Sequence, residues 1–236
     1  MSNLLSRFSG RRSIHILAVF ALFALASLGL HALIPEAGIA HHHHPVAGDV
    51  LVNQGAGERV VFRTVPKPGE DGSTVIDVHL APGGAVPVAH VHPDTEEVFH
   101  VLKGVVELTV DGEQKVIRVG DAITVQAGQA HGLWNPSDQP ALVQVEMKPT
   151  GHLNLALTQV HGFLNETGQS GSLAEFLQMT RFAERYRVYR AGLPVWFQKA
   201  GITLLAPWAR LLGFRSFYER YAQEARQRNT SEEVIP

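Results

Sequence analysis

The chain of 236 residues has no cysteine. Disulfides and thiolate metal sites are thereby excluded, so any transition metal must be held by nitrogen and oxygen. Charge is scarce as well: charged residues make up 18% of the chain and the formal net charge is −2, which argues against a nucleic-acid partner. What charge there is lies unevenly. Residues 49–149 carry 14 acidic against 7 basic side chains, whereas residues 172–236 carry 10 basic against 6 acidic. A mildly acidic middle and a basic, aromatic tail are expected to do different work. Long apolar runs are also missing, apart from one near the amino terminus.

That run is IHILAVFALFALASLGLHALI, residues 14–34, with no Asp, Glu, Lys or Arg. Twenty-one helical residues span about 31 Å, close to the hydrocarbon layer of roughly 30 Å. Arg7, Arg11 and Arg12, within a basic stretch at 1–13, precede it and Glu36 follows it. This arrangement predicts a cytoplasmic amino terminus with the remainder across the membrane. An uncleaved single-pass anchor competes with a signal peptide cut at the small residues of 38–40, which would release a secreted or periplasmic protein. The paired arginines of GRRSIHI also resemble, weakly, a twin-arginine export signal. A buried helix of a soluble fold is a further alternative. Residues 35–49, PEAGIAHHHHPVAGD, read as a linker; the histidines at 41–44 either collect metal ions loosely or serve as a spacer.

From residue 50 to about 147 the pattern changes to short β-branched or alternating runs: RVVFRTV, TVIDVHL, EEVFHVL, VVELTV, KVIRV, AITVQ and ALVQVEM. Turn signals such as PKPGEDG, APGG and NPSDQP separate them, and VDGE has Asp-Gly at a hairpin turn. Such spacing predicts an antiparallel sandwich or barrel. The tail, 172–228, reads as amphipathic helix. Ser172 with Glu175 forms a capping-box pattern, followed by an apolar stripe of Leu173, Phe176, Leu177, Thr180 and Phe182. Residues 193–214 predict one or two helices lying in the membrane interface, with Trp196 and Trp208 at headgroup depth and arginines facing anionic lipid. Packing on the barrel or on a second copy is the competing reading, and a second full span a third. The last residues, 226–236, read as disordered.

The chemistry concentrates in HVHPDTEEVFHVLKG, residues 90–104. His90 and His92 alternate, so on a strand both imidazoles share a face. Pro93 ends that strand. Glu97 begins the next run, in phase with Phe99 and Val101, and pairing of the two strands is expected to set a carboxylate opposite two imidazoles. His131 follows a turn further on. Three neutral nitrogens and a carboxylate leave open positions on a six-coordinate ion and suit Fe, Mn, Ni, Cu or Zn rather than Ca or Mg.

The spacings resemble the cupin superfamily. Gly84, His90, His92, Glu97 and Gly104 fit every interval of the first cupin motif. Gly120, Gly128, His131 and Asn135 fit the second, with Gln126 where proline is usual. The resemblance covers residues 50–150 and implies a small jelly-roll barrel enclosing one divalent transition metal. It implies that His90, His92, Glu97 and His131 are the ligands; the six-residue gap to Gly104 selects Glu97 over Glu96. The glycines are expected to take turn conformations and Asn135 to tie down a loop. Trp134 and Phe99 are expected in the core or at the pocket mouth. His100 and His79 fall outside the site, and homodimerisation through the sheets is implied as well. The fold hosts many activities, and no catalytic acid or base is legible; Glu96 and Asp94 are merely the nearest other carboxylates. The readings are an exported, membrane-associated oxidoreductase of dioxygenase type acting on a small organic molecule, a non-catalytic ligand- or metal-binding module, or a structural partner in a membrane complex. The attachment to lipid would run through the amino-terminal helix and the tail.

Overall fold

The computed structural model describes residues 2–36, 38, 42–68, 70, 72–86, 88–168 and 170–230. The cleavage spacing at 38–40, the first residue of the histidine tract and the end of the tail at 231–236 therefore lie wholly or partly outside the described residues.

The apolar run forms the carboxyl-terminal two thirds of helix α1 (Ser2–Leu33). Its stretch Ile14–Leu33 is long and apolar enough to cross a membrane, and most of its side chains are exposed. Ten strands follow: β1 (Val50–Asn53), β2 (Glu58–Thr64), β3 (Thr74–Leu80), β4 (His90–Val91), β5 (Glu96–Lys103), β6 (Val105–Val110), β7 (Glu113–Arg118), β8 (Ala122–Val125), β9 (Ala130–Trp134) and β10 (Ala141–Lys148). The seven expected runs are strands β2, β3, β5, β6, β7, β8 and β10. After them come α2 (Leu153–Thr167), α3 (Leu173–Tyr186), β11 (Tyr189–Arg190), α4 (Val195–Leu211) and α5 (Glu219–Thr230).

The strands form two antiparallel sheets, ordered β1-β2-β3-β10-β5-β8 and β11-β4-β9-β6-β7. Alternation supplies the core between them. Phe99 and Val101 of β5, Val106 and Leu108 of β6, and Val143, Val145 and Met147 of β10 are buried and belong to one apolar cluster. The chain thus mixes strand and helix: in place of the mainly β chain expected, a jelly-roll β barrel carries helices at both ends that hold more residues than its strands. Two glycines are demanded by their positions. Gly104 turns between β5 and β6 at φ 78°, which L side chains rarely adopt. Gly84 is needed for a different reason than turn conformation: a Cβ there would sit 2.6 Å from the Gly57 carbonyl oxygen.

The helical part departs further from expectation. Helix α2 has no counterpart in the sequence reading. It packs on β1 and α5, and its His161 Nε2 lies 2.9 Å from Glu58 Oε2 of β2, both side chains buried. Helix α5 extends through Thr230, so residues 226–230 are helical rather than disordered; Tyr221, Ala222 and Ala225 bury its inner face. In α3, Ser172 Oγ accepts from Glu175 N as the capping pattern predicts, while the Glu175 carboxylate accepts from Ser170 N and Gly171 N. The apolar stripe is only half right. Leu173 and Phe176 are 72% and 54% exposed, whereas Thr180 and Phe182 are buried, together with Gln178, Arg181 and Tyr186. The linker also packs: His42 stacks on Phe217, and His43 pairs with Glu219.

Residues 195–211 form one helix despite Pro207. Proline lacks the N–H that would bond the carbonyl four residues earlier. That carbonyl, Thr203 O, instead accepts from His31 Nε2 of α1 at 2.9 Å, and His31 Nδ1 accepts from Arg210 at 2.6 Å. Trp208 does not stand free at a headgroup boundary. Its ring stacks on Phe23 at 5.6 Å, and its indole N–H donates to Ser27 Oγ. Nor do the tail arginines Arg181 and Arg210 face outward. Arg181 is buried between Glu36 and Glu184, and the Arg210 side chain, 7% exposed, lies between Glu184 and the Ile34 carbonyl.

Candidate metal centre

His90 opens β4 and His92 follows it by one alternation. In place of the expected β4–β5 pairing, β4 pairs with β9 and with β11. The register sets His90 directly opposite His131. The turn before β9 is closed by Gln126, in the usual proline position: its O accepts from Gln129 N at 3.1 Å and its N–H donates to Gln129 Oε1 at 2.9 Å, while Gly128 N–H ties the turn to His92 O at 2.8 Å. Glu97 comes from β5 in the facing sheet. The site therefore bridges the two sheets, three imidazoles from one and a carboxylate from the other.

His90, His92 and His131 each present a ring nitrogen, and these lie within 4.8 Å of one another. Ring centroids are 4.6 Å apart for His90 and His92, 4.5 Å for His90 and His131, and 5.4 Å for His92 and His131. Glu97 joins through both oxygens, Oε1 at 3.3 Å from His92 Nε2 and Oε2 at 3.0 Å from His131 Nε2. His92, Glu97 and His131 are buried, while His90 is partly exposed. Glu96, on the opposite face of β5, is also partly exposed, as is His100. His79, on β3, lies across β10 from β5 and pairs with Leu142. Phe99 packs beneath the site with its ring 6.0 Å from His131; Trp134 is largely exposed.

The tautomers follow from the backbone. A carbonyl can only accept, so His90 Nδ1 donates to Val88 O at 2.7 Å and His131 Nδ1 to Gln129 O at 3.1 Å. Each Nε2 is left with a lone pair, the arrangement in which outer hydrogen bonds orient a metal-ligating histidine. Among the described residues His92 Nδ1 is buried without a hydrogen-bond partner, and His131 Nε2 has only the Glu97 carboxylate before it. Buried polar atoms seldom stay unsatisfied, so these nitrogens fit an absent ligand.

The electrostatics agree. Burial pushes the His90 imidazole below its ordinary range, with the neighbouring His131 adding to the effect. Burial likewise lowers His92, to about 3. Burial alone would raise Glu97, but the facing imidazoles of His92, His131 and His90 bring it down to about 2. For His131 burial would lower the value, yet the Glu97 carboxylate outweighs it and raises the imidazole. Three imidazoles, His131 once it has given up its proton, and one carboxylate form a donor set for a borderline divalent cation.

Behind the site, Asn135 is fully buried. Its side-chain amide donates to Leu80 O, Ala81 O and Gln139 O, and its oxygen accepts from Ser137, fixing the loop after β9. Asp94 pairs with Arg187 of the helical part at 2.9 Å. Strand β11, which the sequence reading did not separate from the tail helix, borders β4 on its other side with Arg190 opposite His90.

Comparison with known proteins matches residues 76–146 to the cupin-domain family model. Over 105 residues the chain is 37% identical to quercetin 2,3-dioxygenase of Bacillus subtilis, covering 42% of this chain and 31% of that protein. Over 72 residues it is 31% identical to the tetracenomycin polyketide synthase protein TcmJ of Streptomyces glaucescens, covering 30% and 48%. The chain thus spans less than half the length of these two curated relatives. Among solved structures, a cupin protein from Bacteroides fragilis is similar at 28% identity and TM-score 0.33, covering 35% of this chain and 70% of that one.

Proposed function

Because residues 76–146 form a cupin domain, we propose that this chain holds one divalent transition metal through His90, His92, His131 and Glu97 and acts as an oxidoreductase of dioxygenase type on a small organic molecule. The observation that carries the reading is the triad of ring nitrogens within 4.8 Å, two of them oriented by backbone carbonyls. When bound, a redox-active ion would supply one-electron chemistry toward dioxygen and substrate. The chain's own residues do the rest. His90 and His131 are held in the required tautomer, Glu97 contributes the negative charge, and Phe99 with the surrounding aliphatic layer excludes bulk water. Arg7, Arg11 and Arg12 before the apolar run, with Glu36 after it, support a single-pass anchor with the barrel on the extracytoplasmic side.

The test is elemental analysis of protein purified without a chelating column, followed by oxygen uptake with quercetin as the probe. About one metal per chain in the wild type, lost in His131→Ala, is expected. No metal in either protein would sink the reading. Burial of His92, Glu97 and His131 favours one alternative, a closed, non-catalytic metal-binding module. Stoichiometric metal without oxygen uptake across a panel of small phenols and enols would select it.

A further inference from the structure

Helix α4 has a stripe at helical spacing, Trp196, Ala200, Thr203, Pro207 and Arg210, along one side. Helix α1 occupies the carboxyl-terminal end of this helix, through His31 on Thr203 O and Arg210 and through the Phe23–Trp208 stack. The amino-terminal end is left bare: Leu193, Trp196 and Phe197 are 52%, 71% and 55% exposed. Exposed apolar side chains thus stand on both of the packed helices, α1 and α4, and Arg190 and Lys199, exposed bases, neighbour those of α4 in the chain. Exposed apolar side chains beside cations suit the headgroup boundary of an anionic bilayer.

This bare end is also fastened to the histidine site. Gln198 Nε2 donates to Arg190 O at 2.8 Å and to Leu193 O at 2.9 Å, and its Oε1 accepts from Arg190 N at 3.0 Å. The Lys199 ammonium lies 5.7 Å from the centroid of the Tyr189 ring. Strand β11 is in turn hydrogen-bonded to β4, with Arg190 opposite His90 and Ala191 N donating to Ala89 O at 2.9 Å. His90 is the partly exposed member of the triad, and Val88, whose carbonyl orients it, is 42% exposed. The open edge of the site and the apolar lip of α4 are thus linked by one run of hydrogen bonds.

We propose that Leu193, Trp196 and Phe197 bed in the bilayer interface and hold the Val88–His90 edge of the site against the lipid surface. What that edge leads to rests on the metal-site reading above; the placement itself does not. The absence of cysteine makes a direct measurement simple. The full chain, carrying a single spin label at Phe197→Cys, Trp196→Cys, Val88→Cys or Val116→Cys, is reconstituted in vesicles of phosphatidylcholine and phosphatidylglycerol. Collision rates with oxygen, which partitions into lipid, are compared with those of a water-soluble nickel complex. Val116 is the control: it is 51% exposed on β7, the edge of the same sheet opposite β11. The oxygen-to-nickel ratio is expected to be several-fold higher at 196 and 197 than at 116, and intermediate at 88. Ratios at 196 and 197 equal to that at 116, in vesicles that still retain the chain, would overturn the proposal. A lipid-like ratio at 197 with a water-like one at 88 would overturn the placement of the site. Neither metal nor turnover enters the measurement, so failure of the oxidoreductase reading would show separately, as absent oxygen uptake.

Discussion

The three clustered imidazoles differ in how tightly they hold a proton. Burial keeps His90 and His92 neutral and Glu97 is ionised, whereas the Glu97 carboxylate helps His131 hold its proton. A metal arriving at the site competes with that one proton. Metal affinity, followed by chelator competition, is therefore expected to rise about tenfold per pH unit below the raised His131 value and to flatten above it. A slope near three would mean that all three imidazoles are protonated and would contradict this assignment. Glu97→Gln removes the raising influence, so the bend should move to lower pH as affinity falls. The metal-free protein has its own pH dependence. His92 has a depressed folded value, so its contribution is present above about pH 6.5 and is lost as pH falls towards 3, where the unfolded chain binds the extra proton. Glu97 acts in the same direction at lower pH, from the ordinary carboxylate range down to about 2. Asn135 offers a separate test. Asn135→Ala removes three side-chain hydrogen bonds from the loop, although Ala81 O keeps Gly84 N and Gln139 O keeps Ser137 Oγ, and is expected to cost about 1–3 kcal/mol in urea unfolding, with metal content kept at one per chain.

Among the elements, strands were far easier to read than helices. Alternation in EEVFHVL or VVELTV is imposed by the two faces of a sheet, so period and burial coincide residue by residue. Two-residue strands such as β4 and β11 carry no period at all, and β11 exists because β4 offers it an edge. Helix α2 was missed because it is apolar on more than one side and Gly162 interrupts it, yet the sequence held a signal. Leu153, Ala156, Leu157, Val160 and Leu164 follow helical spacing, and Gly168 marks the end with φ 66°. Gly162 has a packing reason. A Cβ there would lie 2.3 Å from Cγ of the Tyr221 ring on α5. Gly162→Ala is therefore expected to destabilise the chain by about 1–3 kcal/mol through overpacking, despite alanine's better helix propensity, as a lower melting temperature would report.

For the molecule as a whole, the join between α1 and the tail helices bears on whether the amino-terminal helix is kept. Arg181 is 2% exposed and takes one carboxylate from Glu36; Arg210 is bound by Ile34 and His31. Cutting the chain at 38–40 and releasing α1 would leave two buried guanidiniums short of partners, an expensive state. The mature protein is expected to keep α1, and intact mass of membrane-extracted protein would check this. Glu36→Ala should lower stability measurably, with Glu36→Gln recovering part of it through the remaining hydrogen bonds.

By itself the sequence determined the barrel, since strand period and turn chemistry are local, and it singled out His90, His92, Glu97 and His131, since motif spacing is one-dimensional. The lack of cysteine already restricted any metal to nitrogen and oxygen donors. Tertiary structure decided that the carboxylate faces the histidines across the sheets instead of along one, that backbone carbonyls orient two of the rings, and that α1, α4 and β11 connect an apolar surface to the open edge of the site. Those arrangements depend on contacts between residues far apart in the chain, such as His31 with Arg210 or Arg190 with His90, and no local period encodes such pairs.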